Sequence, residues 1–201
     1  MNGGETKTGS EVAANASRGG RLCRRNTLGR ALAAWGLAAF LLFGPFAIGA
    51  RSAATAEPAK SVSLLNVQFL NDHADLEPTT NAERARLALI ESLFKAKLEA
   101  SGRYKFVSIP ADLAGKIAAG PEVGGCGGCE FGYGKELGAD TAAWIVVQKV
   151  SDLILNINVY MADVAARKLA FVHSVDIRGN TDESWTRGLT YLLKNYLLAA
   201  Q

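Results

Sequence analysis

The rhythm of apolar and polar positions changes several times after residue 60, and each change predicts an element. Ser61 to Leu70, SVSLLNVQFL, is dense in aliphatic residues and predicts a strand. The polar stretch NDHADLEPTTN follows as a loop containing Pro78. From Asn81 to about Ala100 the rhythm becomes helical: Leu87, Ile90, Phe94 and Leu98 share a face, and Leu89 with Leu93 widens it. Gly102 suits the end of that helix. RYKFVSI then predicts a second strand, stopped by Pro110, which completes a strand–helix–strand unit.

ADLAGKIAA reads as a short helix, followed by a glycine-rich loop and a second short helix, CEFGYGKELGAD, ended at Gly138. Three strand patterns come next: TAAWIVVQKV, DLILNINVYM and KLAFVHSVDI. Short turns at Ser151-Asp152 and from Ala162 to Arg167 make them antiparallel neighbours. In the middle strand Leu153, Leu155, Ile157, Val159 and Met161 fall on one face, with Asn156, Asn158 and Tyr160 on the other. NTDESWTRGLTYLLKNYLLAAQ closes the chain as a helix with the core stripe Trp185, Leu189, Leu192, Leu193 and Tyr196. Asn180 and Glu183 have capping-box spacing at its start. The expected fold is a single α/β domain with a mixed sheet, in the order β-α-β-α-α-β-β-β-α, and helices on one or both faces.

The first 56 of the 201 residues follow another pattern. Arg18, Arg21, Arg24, Arg25 and Arg30 form a basic cluster, and the apolar segment 31–50 follows. Ala54-Thr55-Ala56 fits a small-residue cleavage site. These parts make residues 1–56 a signal peptide or, if retained, a signal anchor; the apolar segment is long enough to span a bilayer, although Gly36, Gly44 and Pro45 interrupt it. Basic residues ahead of the apolar run keep that end cytoplasmic, so residues 57–201 are expected as an exported domain, periplasmic or anchored to the inner membrane. The net charge of +3 belongs to the leader: from Glu57 onward acidic residues slightly outnumber basic ones. No basic patch predicts a nucleic-acid partner.

Chemistry concentrates in a few places. GGCGGCEFGYG holds Cys126 and Cys129, the two cysteines left once Cys23 is assigned to the leader. In an oxidising compartment they are expected to pair as a disulfide that staples a glycine-rich loop. Two sharper readings stay open. A redox-active dithiol is one, because a helix start lowers thiol pKa; half of a metal site is the other, without the second ligand pair of strong zinc sites. His73, between Asp72 and Asp75, is a weak metal candidate. His173 is another, although its strand face, shared with Leu169, Phe171, Val175 and Ile177, suits a hydrogen-bonded core histidine. The loop DIRGNTDESW offers Arg178, Asn180, Asp182 and Glu183 as a ligand or partner site, or as the turn and cap of the last helix. No G-K-[ST] phosphate loop, G-x-S-x-G elbow or H-E-x-x-H is present, so no catalytic residue and no cofactor is predicted.

The fragments EASGRYKFV, CGGCE, LGAD, VQKVSDLILNINVYMAD and SVDIRGNTDESWTRG together resemble an uncharacterised family of exported proteobacterial proteins, a domain of unknown function. The likeness covers most of residues 61–199, and VSDLILNINVY…DIRGNTDESW is its most specific part. More remotely, ELGAD followed by a strand and a hairpin with Y-x-x-D is similar to the amino-terminal domain of TolB and related envelope domains. That likeness implies an α/β module engaged in protein contacts in the cell envelope, and it brings no catalytic residues. The combined expectation is a non-enzymatic binding domain with an envelope protein as partner, and membrane contact through the N-terminal helix if it is uncleaved. The alternative is a thiol-redox or metal-handling protein using the CxxC pair.

Overall fold

The computed structural model describes residues 57–199; the expected leader, its expected cleavage site and Cys23 lie outside them. Five strands form one mixed sheet in the order β2-β1-β3-β4-β5. They are β1 (Lys60–Asn71), β2 (Tyr104–Phe106), β3 (Thr141–Lys149), β4 (Ile154–Asp163) and β5 (Lys168–Arg178). β1 pairs in parallel with both β2 and β3, whereas β3, β4 and β5 run antiparallel. The parallel pairs require crossovers, and the helices supply them. α1 (Asn81–Ala100) joins β1 to β2; α2 (Ala111–Ala119) and α3 (Cys129–Glu136) lie between β2 and β3. α4 (Asp182–Leu192) follows β5 and continues as a π-helical turn, Leu193–Leu197. The expected order of elements and the mixed sheet are both present.

The helices divide between the two faces. On the first, α1 and α4 bury Ile90, Phe94, Leu98, Trp185, Leu189 and Leu192 against Val62, Ile145, Val147, Leu155, Ile157 and Val159. Each such side chain contributes roughly 1.5–3 kcal/mol when fully withdrawn from water, so this layer dominates the stability. On the second, α2, α3 and the loop between them pack Leu113, Ile117 and Val123 on Leu65, Ala142, Trp144 and Ala162. Farther along this face polar pairs join β4 and β5. Asn156 donates to Asp176 at 2.7 Å, and Ser174 and Asn158 are hydrogen-bonded across β4 and β5.

Four details differ from the pattern. Leu153 lies in the β3–β4 turn and is 73% exposed, because the strand begins only at Ile154. Leu169 leaves the face of Phe171, since the register shifts between Met161 and Ala162, opposite that end of β5. Leu89 stays exposed; α1 turns a narrower stripe to the sheet. In the last helix the π-turn widens the backbone loop, with the Leu198 N–H reaching the Leu193 carbonyl at 2.8 Å. The stripe then runs through Leu193 to Leu197, and Tyr196 turns outward instead of joining it. No helix among the described residues is long and apolar enough to cross a membrane.

Candidate functional site

The CxxC loop is built by glycines that the sheet itself demands. Gly124 has φ +89°, and a Cβ there would lie 2.7 Å from Nε1 of Trp144, so the loop rests directly on the indole. Trp144 in turn stacks on Tyr160 across the β3–β4 pair, with centroids 5.0 Å apart. Gly127 and Gly128 also have positive φ, and Gly128 is the residue that starts α3. Cys126 and Cys129 form a disulfide. The Cys129 N–H, in the first turn of α3, points at Cys126 Sγ from 3.1 Å. Glu130 is 7% exposed, and its Oε2 lies 3.3 Å from Cys126 Sγ. Arg167, from the β4–β5 turn, reaches the same loop and sets its guanidinium 5.0 Å over the Phe131 ring.

Cys126, Cys129 and Glu130 are the group whose ligating atoms lie within 4.8 Å of one another. The disulfide takes both sulfurs out of thiolate form, and a thiolate is what a metal ion needs. Neither histidine joins the group among the described residues. His73 sits in the exposed β1–α1 loop, its N–H on Asn71 Oδ1, while Asp72 accepts from Gln148 Nε2. His173 is half-buried on β5 and lies against Tyr196, with centroids 3.7 Å apart. Its Nδ1 contacts the carbonyl of its own neighbour Val172 at 3.1 Å, so it is a surface aromatic partner and not a core histidine.

The polar loop after β5 splits into two halves. Asn180 enters a network at the carboxyl ends of the strands. Its amide donates to Glu83 Oε1 at 2.8 Å and to Asp152 at 3.2 Å, while its Oδ1 accepts from Trp185 Nε1 and Arg86. Asp182 accepts from Arg86 Nε at 2.7 Å. Arg178 stays exposed and joins neither, and Glu183 pairs with Arg187 one turn along α4. No pocket joins the four among the described residues; Asp182 and Glu183 border a shallow groove along α4 with Tyr191 and Lys194. The expected Asn180–Glu183 cap is also displaced: Thr181 and Ser184 form the capping box. That shift frees the Asn180 side chain for its distant partners.

At the centre of the network Lys149 is 4% exposed and Glu83 1%. Lys149 Nζ reaches Glu83 at 3.0 Å and Asp152 at 2.8 Å. Burial alone would raise the Glu83 pKa, but the Thr80 N–H, the Lys149 ammonium, the Asn180 amide and the Thr80 hydroxyl hold it down at about 2. The Asp152 carboxylate raises Lys149 far above its ordinary value, against burial and with help from Glu83. At the opposite end Asp140 accepts from the Ser61 N–H and hydroxyl at 2.8 and 2.7 Å, which fastens β1 to β3 and holds the Asp140 carboxyl low. These networks join loops and strands; Asp140 also borders a cleft at the amino ends of the strands.

Two features escape the sequence pattern. β5 is an edge strand of 11 residues, with Leu169 and Val172 about half exposed and, among the described residues, no strand paired on its outer side. Beside it Tyr196 of the π-turn and Tyr191 of α4, 46% and 51% exposed, stand edge-on to each other. The edge position depends on strand order, which no local pattern encodes, and Tyr196 is outward because of the π-turn. A cleft of about 690 Å³ opens at the amino ends of β1 to β3, lined by Lys60, Arg103, Asp140, Asp163, Phe171 and Tyr196. No residue of the CxxC loop lines it.

No curated protein matches the chain. Solved structures with similar folds include the LpoB C-terminal domain from Salmonella enterica, 12% identical over 62% of this chain and 87% of that one, with a TM-score of 0.42. A PelC dodecamer from Paraburkholderia phytofirmans is 14% identical over 72% and 91%, at 0.45. The lipoprotein GNA1162 from Neisseria meningitidis is 16% identical over 71% and 99%, at 0.43. TolB from Acinetobacter baumannii is 12% identical over 68% of this chain and 28% of its own length, at 0.40. The sequence itself fits a family model from residue 60 to 197, nearly the whole of the fold described above, and the chain belongs to that family, "Protein of unknown function (DUF2380)".

Proposed function

We propose that this is a non-enzymatic binding domain of the cell envelope that takes up an extended segment of another envelope protein along β5. The observation that carries the reading is the long edge of β5, unpaired among the described residues, beside an exposed aromatic cluster. An open edge strand offers a row of backbone donors and acceptors, which natural proteins normally cover or blunt. A partner strand adds to such a row through main-chain hydrogen bonds, with side chains alternating into neighbouring contacts. Tyr191, Tyr196 and His173 lie where those side chains would fall, and tyrosine is among the residues favoured at binding surfaces. The export pattern of residues 1–56 and the Cys126–Cys129 disulfide support an oxidising envelope compartment.

Photocrosslinking of the full chain in intact cells tests this. A photoreactive residue at Val172, Ser174 or Tyr196 is expected to give one discrete heavier species, absent from the same probe at Lys97 on exposed α1. Equal products from Lys97, or none from β5, would sink the reading.

A further inference from the structure

The CxxC loop carries an inference that does not depend on β5. We propose that Cys126–Cys129 is a thiol–disulfide exchange site whose electron donor is a dithiol, and that Glu130 favours its reduced form by accepting the Cys126 thiol proton in a hydrogen bond.

Three observations support this. First, Glu130 is buried, and among the described residues the polar contact of its carboxylate is Cys126 Sγ at 3.3 Å. A disulfide sulfur has no hydrogen to give, so in the oxidised form this buried acceptor faces a group that cannot satisfy it. Buried polar groups left in that condition are costly. Reduction places an S–H at the same sulfur and completes the bond. The start of α3 accounts for an acid at this position but not for its aim at Cys126, and a structural staple makes no use of an acceptor there. Second, the Cys129 N–H lies 3.1 Å from Cys126 Sγ at the start of α3, where the helix end favours negative charge on a departing sulfur. Third, the bridge is approachable. Cys126 and Cys129 are half-buried, and nothing lies within 4 Å of where a Cβ would stand on Gly127 between them.

The exchange balances as follows. A thiolate of the donor attacks Cys129 Sγ and forms a mixed disulfide. The Cys126–Cys129 bond breaks, and its electron pair leaves on Cys126 Sγ, beside the Cys129 N–H. That sulfur takes up the proton lost by the donor's first thiol and becomes the hydrogen-bond donor to Glu130. The donor's second thiolate then attacks its own sulfur in the mixed disulfide. The electron pair leaves on Cys129 Sγ, which takes the second proton. The donor ends as a disulfide, oxidised by two electrons, and both cysteines end as thiols.

The test uses the full chain carrying Cys23→Ser, so that only this pair reports. It is equilibrated in glutathione redox buffers, trapped with an alkylating reagent and counted by mass, with the fold checked by circular dichroism. The pair is expected to exchange readily across those buffers. Glu130→Gln, which removes the proton-accepting carboxylate, is expected to lower the equilibrium constant for reduction about tenfold, roughly 30 mV for this two-electron couple. Glu122→Gln, at an exposed carboxylate of the same loop, is expected to leave it unchanged. Should Glu130→Gln fail to fold, Glu130→Asp, which keeps the carboxylate but withdraws it, must still lower the constant at least threefold. A pair that stays oxidised throughout, a Glu130 effect below threefold, an equal effect from Glu122→Gln, or stoichiometric zinc on the reduced chain overturns the proposal.

Discussion

Two glutamates, Glu83 and Glu130, are buried in the first turns of helices on opposite faces of the sheet, and their surroundings differ sharply. Glu83 is enclosed by donors: the Thr80 N–H and hydroxyl, the Lys149 ammonium and the Asn180 amide. Every partner comes from a different part of the chain or from its own cap, so the charge is both neutralised and useful as a joint between loops. Glu130 faces a disulfide sulfur. The contrast separates a carboxylate explained by folding from one that folding leaves unexplained. Burial and an acidic side chain are common to both; only the list of donors distinguishes a structural joint from a site with chemistry left over.

The comparison can be broken first at Lys149. Lys149→Met leaves Glu83 buried without its cation and is expected to cost about 3–5 kcal/mol in urea unfolding. A loss below about 1 kcal/mol would mean that the neutral donors suffice. Acid gives the next effect. The folded pKa of Glu83, about 2, lies below its ordinary value of 4.5. Its contribution is therefore complete above about pH 4.5 and is lost as pH falls toward 2. That gap corresponds to roughly 3 kcal/mol, and Glu83→Gln should flatten this part of the stability–pH curve. A smaller change is expected on the other face. Replacing Cys126 and Cys129 together by Ser opens a short loop and should cost about 2 kcal/mol by the loop-entropy relation. The smallest expected effect sharpens the contrast most. Glu130→Gln should alter the stability of the oxidised chain by less than about 1 kcal/mol, since no donor is lost, whereas the matching change at Glu83 takes one of the carboxylates from a buried ammonium that keeps Asp152.

Periodicity carried most of the architecture. Ile90, Phe94 and Leu98 repeat at helical spacing, and Leu155, Ile157, Val159 and Met161 alternate as a half-buried strand must; both groups reach the core. Caps were legible to within one residue. The periodic run opens at Asn81, and the structure places the capping box one residue earlier, at Thr80 and Glu83. Thr181 displaced Asn180 because Asn180 has better work elsewhere: its partners Glu83 and Arg86 lie 97 and 94 residues away, beyond any local pattern. The same limit hid Glu130. In sequence it is one acid in a polar-looking short helix; its burial depends on how α3 packs against the sheet. The disulfide was legible because export was the expectation, and two cysteines in an oxidising compartment have few alternatives.

The π-turn at Leu193–Leu197 has a geometric consequence for the surface beside β5. A π-turn amounts to one extra residue accommodated inside a helix without unwinding it. Counted that way, Leu193 and Leu197 keep their seats in the core, and the surplus position is discharged onto the outside as Tyr196. A chain shorter by one residue there would make a more regular helix and bring Tyr196 round toward the sheet. The ring that lies against His173 is thus the outward position of a widened turn whose neighbours Leu193 and Leu197 stay in the hydrophobic layer.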